Sequence, residues 1–513
     1  MRIIQPNLKK KLPIGKQTFK DVIEENNLYV DKTKIALDLI ENYKYVFLAR
    51  PRRFGKSLFL DTLRELFEGN KILFKGLYAY NHYLWDEKYP VIHISFSGGV
   101  HSKQELTEEL YSLLDDNKQR LNVECKSIHN INICFKELIQ NVYKTYNKKV
   151  VILIDEYDKP ILDNLSNIKE AQILRDFLRD FYAKIKDADR YIKFAFLTGV
   201  SKFSKVSIFS GLNNLTDISL DERYGNICGY TQKDIETQFL PYLEGVDLEK
   251  LKKWYNGYNF LGSKVYNPFD ILLFIQKNKT YKNYWFETGT PRFLLTLIKK
   301  QNYFLPAFEN LEADEQLLNS FEIEDLSLET VMFQTGYLTI KAKEESFPGV
   351  RYHLGFPNRE VQMSFNDYIL QHFMNKNQKD SIRFALFNLL EKADLKSLEG
   401  LIIRLFANIA YNNFTKNEIA HYEGFYASVL YAYFASLGLK IIAEDVTNLG
   451  RIDLTIQFED KTYIFEFKVS GEAPLKQIKE MKYYQKYNGD VYIIGIVFDQ
   501  KKRNIDQFVW EKL

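Results

Sequence analysis

The stretch Ala49-Arg50-Pro51-Arg52-Arg53-Phe54-Gly55-Lys56-Ser57-Leu58 decides how the chain is read. It follows an apolar run, Tyr45–Ala49, and opens an amphipathic pattern, Ser57–Phe67, so a strand runs into a loop and the loop into a helix. A phosphate-binding loop of the Walker A type needs that setting. Gly55 lets backbone N–H groups approach phosphate oxygens, and Lys56 reaches the β- and γ-phosphates. Ser57 offers a hydroxyl to Mg²⁺ at a helix N-terminus that already favours anions. Arg50 stands where G-x-x-x-x-G-K-[ST] has its first glycine, and the positive charge of Arg50, Arg52 and Arg53 partly compensates. Arg50, Arg52, Arg53, Phe54, Gly55, Lys56 and Ser57 are therefore the expected nucleotide contacts.

Outward from the loop, short apolar strands alternate with amphipathic helices. The strands are Tyr45–Ala49, Val91–Phe96, Val150–Ile154 and Ile192–Leu197; the helical patterns are Ser57–Phe67, Ile128–Tyr146 and Ala171–Lys186. Runs this apolar suit strands buried on both faces, and the alternation argues for a doubly wound α/β domain. The third strand ends in Asp155-Glu156, at the edge of the sheet where open α/β proteins bind their ligands. In this Walker B position Asp155 is expected to hold Mg²⁺ and Glu156 to position or deprotonate the attacking water. Thr198, ending the next strand, is placed to sense the γ-phosphate.

Further blocks accompany these: Leu12-Pro13-Ile14-Gly15 through Phe19, Tyr29-Val30-Asp31-Lys32-Thr33, Asp155-Glu156-Tyr157-Asp158-Lys159-Pro160, Leu197-Thr198-Gly199-Val200 and Glu287-Thr288-Gly289-Thr290-Pro291. Together with Arg50–Ser57 they resemble the AAA-ATPase-like proteins of bacteria and some archaea, nearly end to end. The resemblance implies an ATPase core over 1–215 and a helical lid over 216–300. It implies ATP and Mg²⁺ as cofactors, and an arginine in place of the first loop glycine. Arg223 and Arg292 are the expected nucleotide-sensing arginines, acting within one chain or across a homo-oligomer.

The last hundred residues carry a second constellation. Gly450-Arg451-Ile452-Asp453-Leu454 precedes Phe465-Glu466-Phe467-Lys468-Val469 at a spacing that suits two antiparallel strands. With a side-chain period of 2, Glu466 and Lys468 share one face while Phe465 and Phe467 pack on the other. Glu423 falls on a helix, His421–Leu437, that ends at Gly438. Gln477 and Tyr484 fall two turns apart on a helix expected over Leu475–Tyr487. This pattern resembles the PD-(D/E)XK nuclease superfamily, with Ile452 replacing the proline. The resemblance implies that Asp453, Glu466 and the Phe467 carbonyl hold Mg²⁺. Lys468 orients the attacking water, and Glu423 and Gln477 complete the site.

Composition narrows the function. The 513 residues carry 70 Lys+Arg against 67 Asp+Glu, a net charge of +3, which excludes a globally basic nucleic-acid coat. No apolar run approaches the ~18 residues that span a bilayer, so no membrane segment is expected. Cys125, Cys134 and Cys228 offer no disulfide framework or zinc site and suit a reducing cytoplasm. The expected architecture is α/β. A P-loop ATPase with lid (1–215, 216–300) is followed by a mainly helical, winged-helix-like connector (301–410) and a small α/β nuclease-like domain (411–513). The expected function is ATP-regulated cleavage of nucleic acid, DNA foremost. The alternative is a non-catalytic ATP switch whose nuclease-like domain only binds nucleic acid or a protein.

Overall fold

The computed structural model describes residues 9–513 apart from 97, 128, 204–207, 286–293, 295–297, 299–303, 310, 316–317, 319–321, 325, 348, 374–375, 410–422, 447–449, 470–473 and 500. The chain packs into two compact units. One comprises residues 1–293 and 313–352, the other 294–312 and 353–513. The stretch 301–410 is thus shared between them. Among the described residues no helix is long and apolar enough to cross a membrane.

The first unit is built on a five-stranded parallel sheet. Its strands are β1 (Tyr45–Ala49), β2 (Val91–Ser95), β3 (Val150–Asp155), β4 (Ile192–Gly199) and β5 (Thr216–Asp217), in the spatial order β2-β3-β4-β1-β5. β1 and β3 are buried along their whole length, as their unbroken apolar sequences require. Four helices pack around the sheet: α1 (Lys56–Phe67), α2 (Lys103–Leu121), α3 (Ile131–Tyr146) and α4 (Ile168–Asp187). Each boundary has a local cause. Ser102, Asn130 and Asn167 accept backbone N–H groups at the starts of α2, α3 and α4. Asn122 and Asn147 turn into the left-handed region to end α2 and α3. The order of strands puts β4 between β1 and β3, so the loop after β1 and the acids after β3 open onto one edge of the sheet.

Beyond β5 the chain forms a smaller helical region. Thr231 and Asp234 form a reciprocal cap, and the segment they start is one α-turn followed by a wider turn over Ile235–Phe239. Two helices follow, α5 (Leu248–Tyr255) and α6 (Pro268–Gln276). A third, α7 (Leu328–Thr335), ends at Gly336, which takes a left-handed φ of +92°, and leads into β6 (Thr339–Ser346) and β7 (Gly349–Gly355). One sequence reading is corrected here. Cys125 and Cys134 are joined by a disulfide, because the loop between α2 and α3 folds back onto the first turn of α3. Cys228 is free and buried.

In its longer segment, 353–513, the second unit begins with the helices α8 (Arg359–Phe373), α9 (Lys376–Lys392) and α10 (Leu395–Ala407). Next come α11 (Glu423–Ser436) and a five-stranded sheet in sequential order. Its strands are β8 (Lys440–Val446), β9 (Arg451–Phe458), β10 (Lys461–Val469), β11 (Asp490–Asp499) and β12 (Asn504–Lys512), with α12 (Pro474–Glu480) connecting β10 to β11. Only the β10–β11 pair is parallel, and it is joined through that helix; the other neighbours are antiparallel. From Phe425 on, α11 is buried on every side and covers one face of the sheet. Phe434 packs on Phe465, and Tyr426 stacks on Phe498. The helix expected over Leu475–Tyr487 is instead broken. α12 stops at Glu480, Lys482 turns left-handed at φ +49°, and a separate short turn spans Tyr483–Lys486. Gln477 and Tyr484 therefore do not share a helix face.

Candidate active sites

A cleft of about 390 Å³ lies at the β1–β3 edge of the first sheet, with Lys56, Ser57, Arg52, Arg53 and Glu156 on its wall. The loop before α1 is shaped for anions. Arg53 (φ +71°) and Gly55 (φ +94°) both lie in the left-handed region, which turns successive backbone N–H groups toward one concavity. Lys56 is buried at the start of α1, and its Nζ donates to the carbonyl oxygens of Arg50 (3.0 Å) and Pro51 (3.1 Å). Burial pulls its pKa down, opposed by the charges of Asp155 and Glu156.

The acids stand across from it. Asp155 is buried and accepts hydrogen bonds from Ser57 and from the Glu156 N–H (3.0 Å). Burial raises its pKa against those bonds and the Lys56 charge. Glu156 has a left-handed backbone, φ +50°, a strained state for a side-chain-bearing residue that has to be held from outside. Burial also raises the Glu156 pKa, while Lys56, Lys159 and Arg52 pull it down.

Several expected nucleotide residues face elsewhere. The Arg50 side chain is buried beside the P-loop. It donates to the carbonyl oxygens of Ala49 (2.9 Å), Ser219 (2.7 Å) and Tyr224 (3.1 Å) and stacks on Phe260, 4.0 Å from its ring centroid. It fastens the loop to the segment after β5 and adds no charge to the cleft wall. Thr198 is likewise buried; its hydroxyl donates to the Leu48 carbonyl (2.9 Å), bracing β4 against β1, and Val200 makes the cleft wall instead. Arg223 is exposed and bound to Asp221 and Tyr43, away from the cleft. Arg292 lies outside the described residues. Phe54 packs edge-on against Tyr258 and Phe260, and its carbonyl accepts the Gly229 N–H (3.1 Å).

In the second unit β9 and β10 bring three expected residues together. The antiparallel register pairs Leu454 with Phe465, and just beyond it Asp453 Oδ2 accepts the Phe467 N–H at 2.7 Å. Glu466 is buried to 1 % exposure, and its Oε1 accepts from Lys468 Nζ at 2.9 Å. Burial raises the Asp453 pKa, countered by the Phe467 amide and by Lys468 and Arg451. Gly495 is the register partner of Glu466 on β11. A Cβ there would come within 2.4 Å of Pro474, so the missing side chain lets α12 start against the strand at the level of Glu466. Gln477 is half-buried on α12. Glu423 opens α11, but its side chain lies outside the described residues.

A family model described as "Predicted AAA-ATPase" matches residues 13–209, and one for the PD-(D/E)XK nuclease superfamily matches residues 421–508. The chain is also 46 % identical to an "Uncharacterized protein in vnfD 5'region" of Azotobacter chroococcum mcd 1, over 516 aligned residues that cover 98 % of this chain and 99 % of that protein. The chain belongs to the AAA-ATPase-like family. Its C-terminal part is a PD-(D/E)XK nuclease superfamily domain.

Each site of this AAA-ATPase-like chain fits the group its family uses. The loop's left-handed turn, its cationic wall and the Ser57–Asp155 pair suit a nucleotide triphosphate with Mg²⁺. Among the described residues no three His, Cys, Asp or Glu side chains form a ready-made metal cage. In the nuclease-like domain the donors are the Asp453 and Glu466 carboxylates and the Phe467 carbonyl, hard oxygens that suit Mg²⁺. Sequence reasoning gave no role to Asp158, although it is buried on the cleft wall and sits inside the quoted Asp155–Pro160 block. It also passed over Glu444. That residue has a left-handed backbone within β8 (φ +53°), pairs with Arg451, and has its pKa raised by burial and by the charge of Asp453.

Proposed function

We propose that this AAA-ATPase-like chain binds and hydrolyses ATP, and that its ATPase unit controls Mg²⁺-dependent cleavage of DNA phosphodiester bonds by its PD-(D/E)XK domain. The observation that carries the reading is that both sets of polar site residues are present in one chain: Lys56, Ser57, Asp155 and Glu156 in one unit, and Asp453, Glu466 and Lys468 in the other.

In the ATPase, the Lys56 ammonium exchanges the Arg50 and Pro51 carbonyls for the β- and γ-phosphates. Ser57 and Asp155 would hold Mg²⁺ there. Glu156 orients the attacking water and takes its proton, a task that a raised carboxylate pKa favours. In the nuclease, Asp453, Glu466 and the Phe467 carbonyl would hold Mg²⁺, which when bound neutralises charge on the scissile phosphate and acidifies water. Lys468 already balances the Glu466 charge and would position water beside it.

The test is nicking of a supercoiled plasmid by the full chain in Mg²⁺, with and without ATP. Cleavage that requires Asp453 and responds to nucleotide supports the reading; no cleavage under either condition removes the nuclease half.

A further inference from the structure

The loop that leaves β4 sits between the two halves of the ATPase site. On one side the carbonyl of Gly199 accepts the N–H of Arg50, the first residue of the P-loop, at 3.1 Å. On the other side lies Asp158, two residues after Glu156. Asp158 is 1 % exposed, and its carboxylate accepts the Val200 N–H (3.0 Å to Oδ2, 3.3 Å to Oδ1) and the Ser201 N–H (2.6 Å).

Tyr157 reinforces the grip. Its N–H donates to the Thr198 carbonyl (3.1 Å), and its hydroxyl donates to the Ser201 carbonyl (3.0 Å) and accepts the Phe203 N–H (3.3 Å). The fit is close enough to demand glycine at 199. A Cβ there would stand 2.4 Å from Asp158 Oδ1 and 2.6 Å from the Tyr157 ring. These contacts fix residues 157 and 158, and Glu156, just before them, is left in a left-handed backbone that nothing in its own sequence favours.

We propose that Asp158 is a positioning residue of the ATPase: by clamping the Val200 and Ser201 amides it fixes the strained turn that aims the Glu156 carboxylate into the cleft and ties that turn, through Gly199, to the P-loop. The proposal rests on the ATPase reading above. Asp158 borders the cleft, but its carboxylate is taken up by the Val200 and Ser201 amides and is assigned no contact with nucleotide. Its loss therefore acts on the chemical step through Glu156 and leaves the affinity set by Lys56 and the loop amides in place.

The experiment uses the full-length protein as wild type, Asp158→Asn, Gly199→Ala and the double variant. Phosphate release gives kcat, titration with a fluorescent ATP analogue gives Kd, and thermal unfolding checks the fold. The expected result is a kcat about tenfold lower or more in each single variant with Kd within about threefold of wild type. The double variant is expected to lie within about twofold of the slower single, because both changes break one clamp. Wild-type kcat in a folded Asp158→Asn overturns the proposal, as do parallel losses in Kd and kcat or fully multiplicative losses in the double variant. If Asp158→Asn does not fold, Gly199→Ala decides alone, and wild-type kcat in that variant overturns the clamp. If the wild type itself releases no phosphate, the ATPase reading falls and the clamp with it. Equal turnover by wild type and a folded Asp158→Asn removes only the clamp.

Discussion

Lys56 Nζ donates to the carbonyl oxygen of Arg50 at 3.0 Å, while the Arg50 guanidinium points away and donates to the carbonyls of Ala49, Ser219 and Tyr224. One residue thus offers the loop lysine its resting partner through its backbone and anchors the loop through its side chain. The charge that lines the cleft is that of Lys56, with Arg52 and Arg53, and not that of Arg50.

Lys56→Ala is therefore expected to abolish ATP binding, because no other side chain replaces a buried ammonium at the base of the loop. Glu156→Gln is expected to bind ATP like wild type and to release no phosphate, since only the proton-accepting carboxylate is lost. Analogue titration and phosphate release separate the two effects. Unchanged affinity in Lys56→Ala contradicts the assignment of the loop.

Arg50→Ala should behave as a stability variant first. It leaves the buried Ser219 and Tyr224 carbonyls without this donor and opens space beside Phe260, at a cost of roughly 2–4 kcal/mol. Urea unfolding measures that loss. A variant as stable as wild type, but with ATP affinity reduced as far as in Lys56→Ala, would put the guanidinium in the cleft after all.

Much of the first unit was legible because its signals are local. Tyr45–Ala49 is a strand from its first residue to its last, and Gly55-Lys56-Ser57 opens a helix as read. The alternation Phe465, Glu466, Phe467, Lys468 sorted the two faces of β10 correctly, because an apolar period of 2 fixes which side meets α11. What failed were statements about where a polar side chain turns. Arg50 and Thr198 stand in functional positions along the chain, yet their donors reach carbonyls supplied by Tyr224 and Leu48, residues distant in sequence. The break at Lys482 was hidden for a similar reason. Lysine favours helices, and the left-handed turn there is imposed as Tyr483 enters the small core formed with Ile452, Ile464 and Ile478. Asp158 was passed over because its partners are backbone amides, which leave no mark on the pattern of side chains.

Asp158 also gives the fold a pH signature. Burial, aided by the Glu156 charge, pushes its pKa up to about 6 against the pull of the Ser201 amide and Lys56. Between the ordinary carboxyl range and about 6 the folded protein holds a proton that the unfolded chain has released. This group's contribution to stability therefore falls as pH rises through that window and stays low above it. Asp158→Asn has no such titration. Its stability relative to wild type should shift in the variant's favour from about pH 4 to about pH 6, as read by urea unfolding. A constant difference across that range contradicts the raised pKa.

In the nuclease-like domain, Asp453→Ala and Glu466→Ala should each abolish cleavage and leave ATP binding unchanged. Glu466→Ala also leaves the Lys468 ammonium without its 2.9 Å partner, so a metal titration should show weakened Mg²⁺ response in both. Cleavage at the wild-type rate by both variants would move the active site elsewhere.

The claim at the centre of this account is that nucleotide on Lys56 governs cutting at Asp453 and Glu466. The direct measurement is the rate of Mg²⁺-dependent nicking of one plasmid substrate by wild type and by Lys56→Ala and Glu156→Gln, each with ATP, with ADP and without nucleotide. A coupling of ~1–3 kcal/mol predicts that the wild-type rate changes several-fold or more with nucleotide, and that Lys56→Ala is locked at its nucleotide-free rate. Equal rates in all three proteins under all three conditions, with Asp453 still required, would mean two independent activities on one chain and would contradict the account.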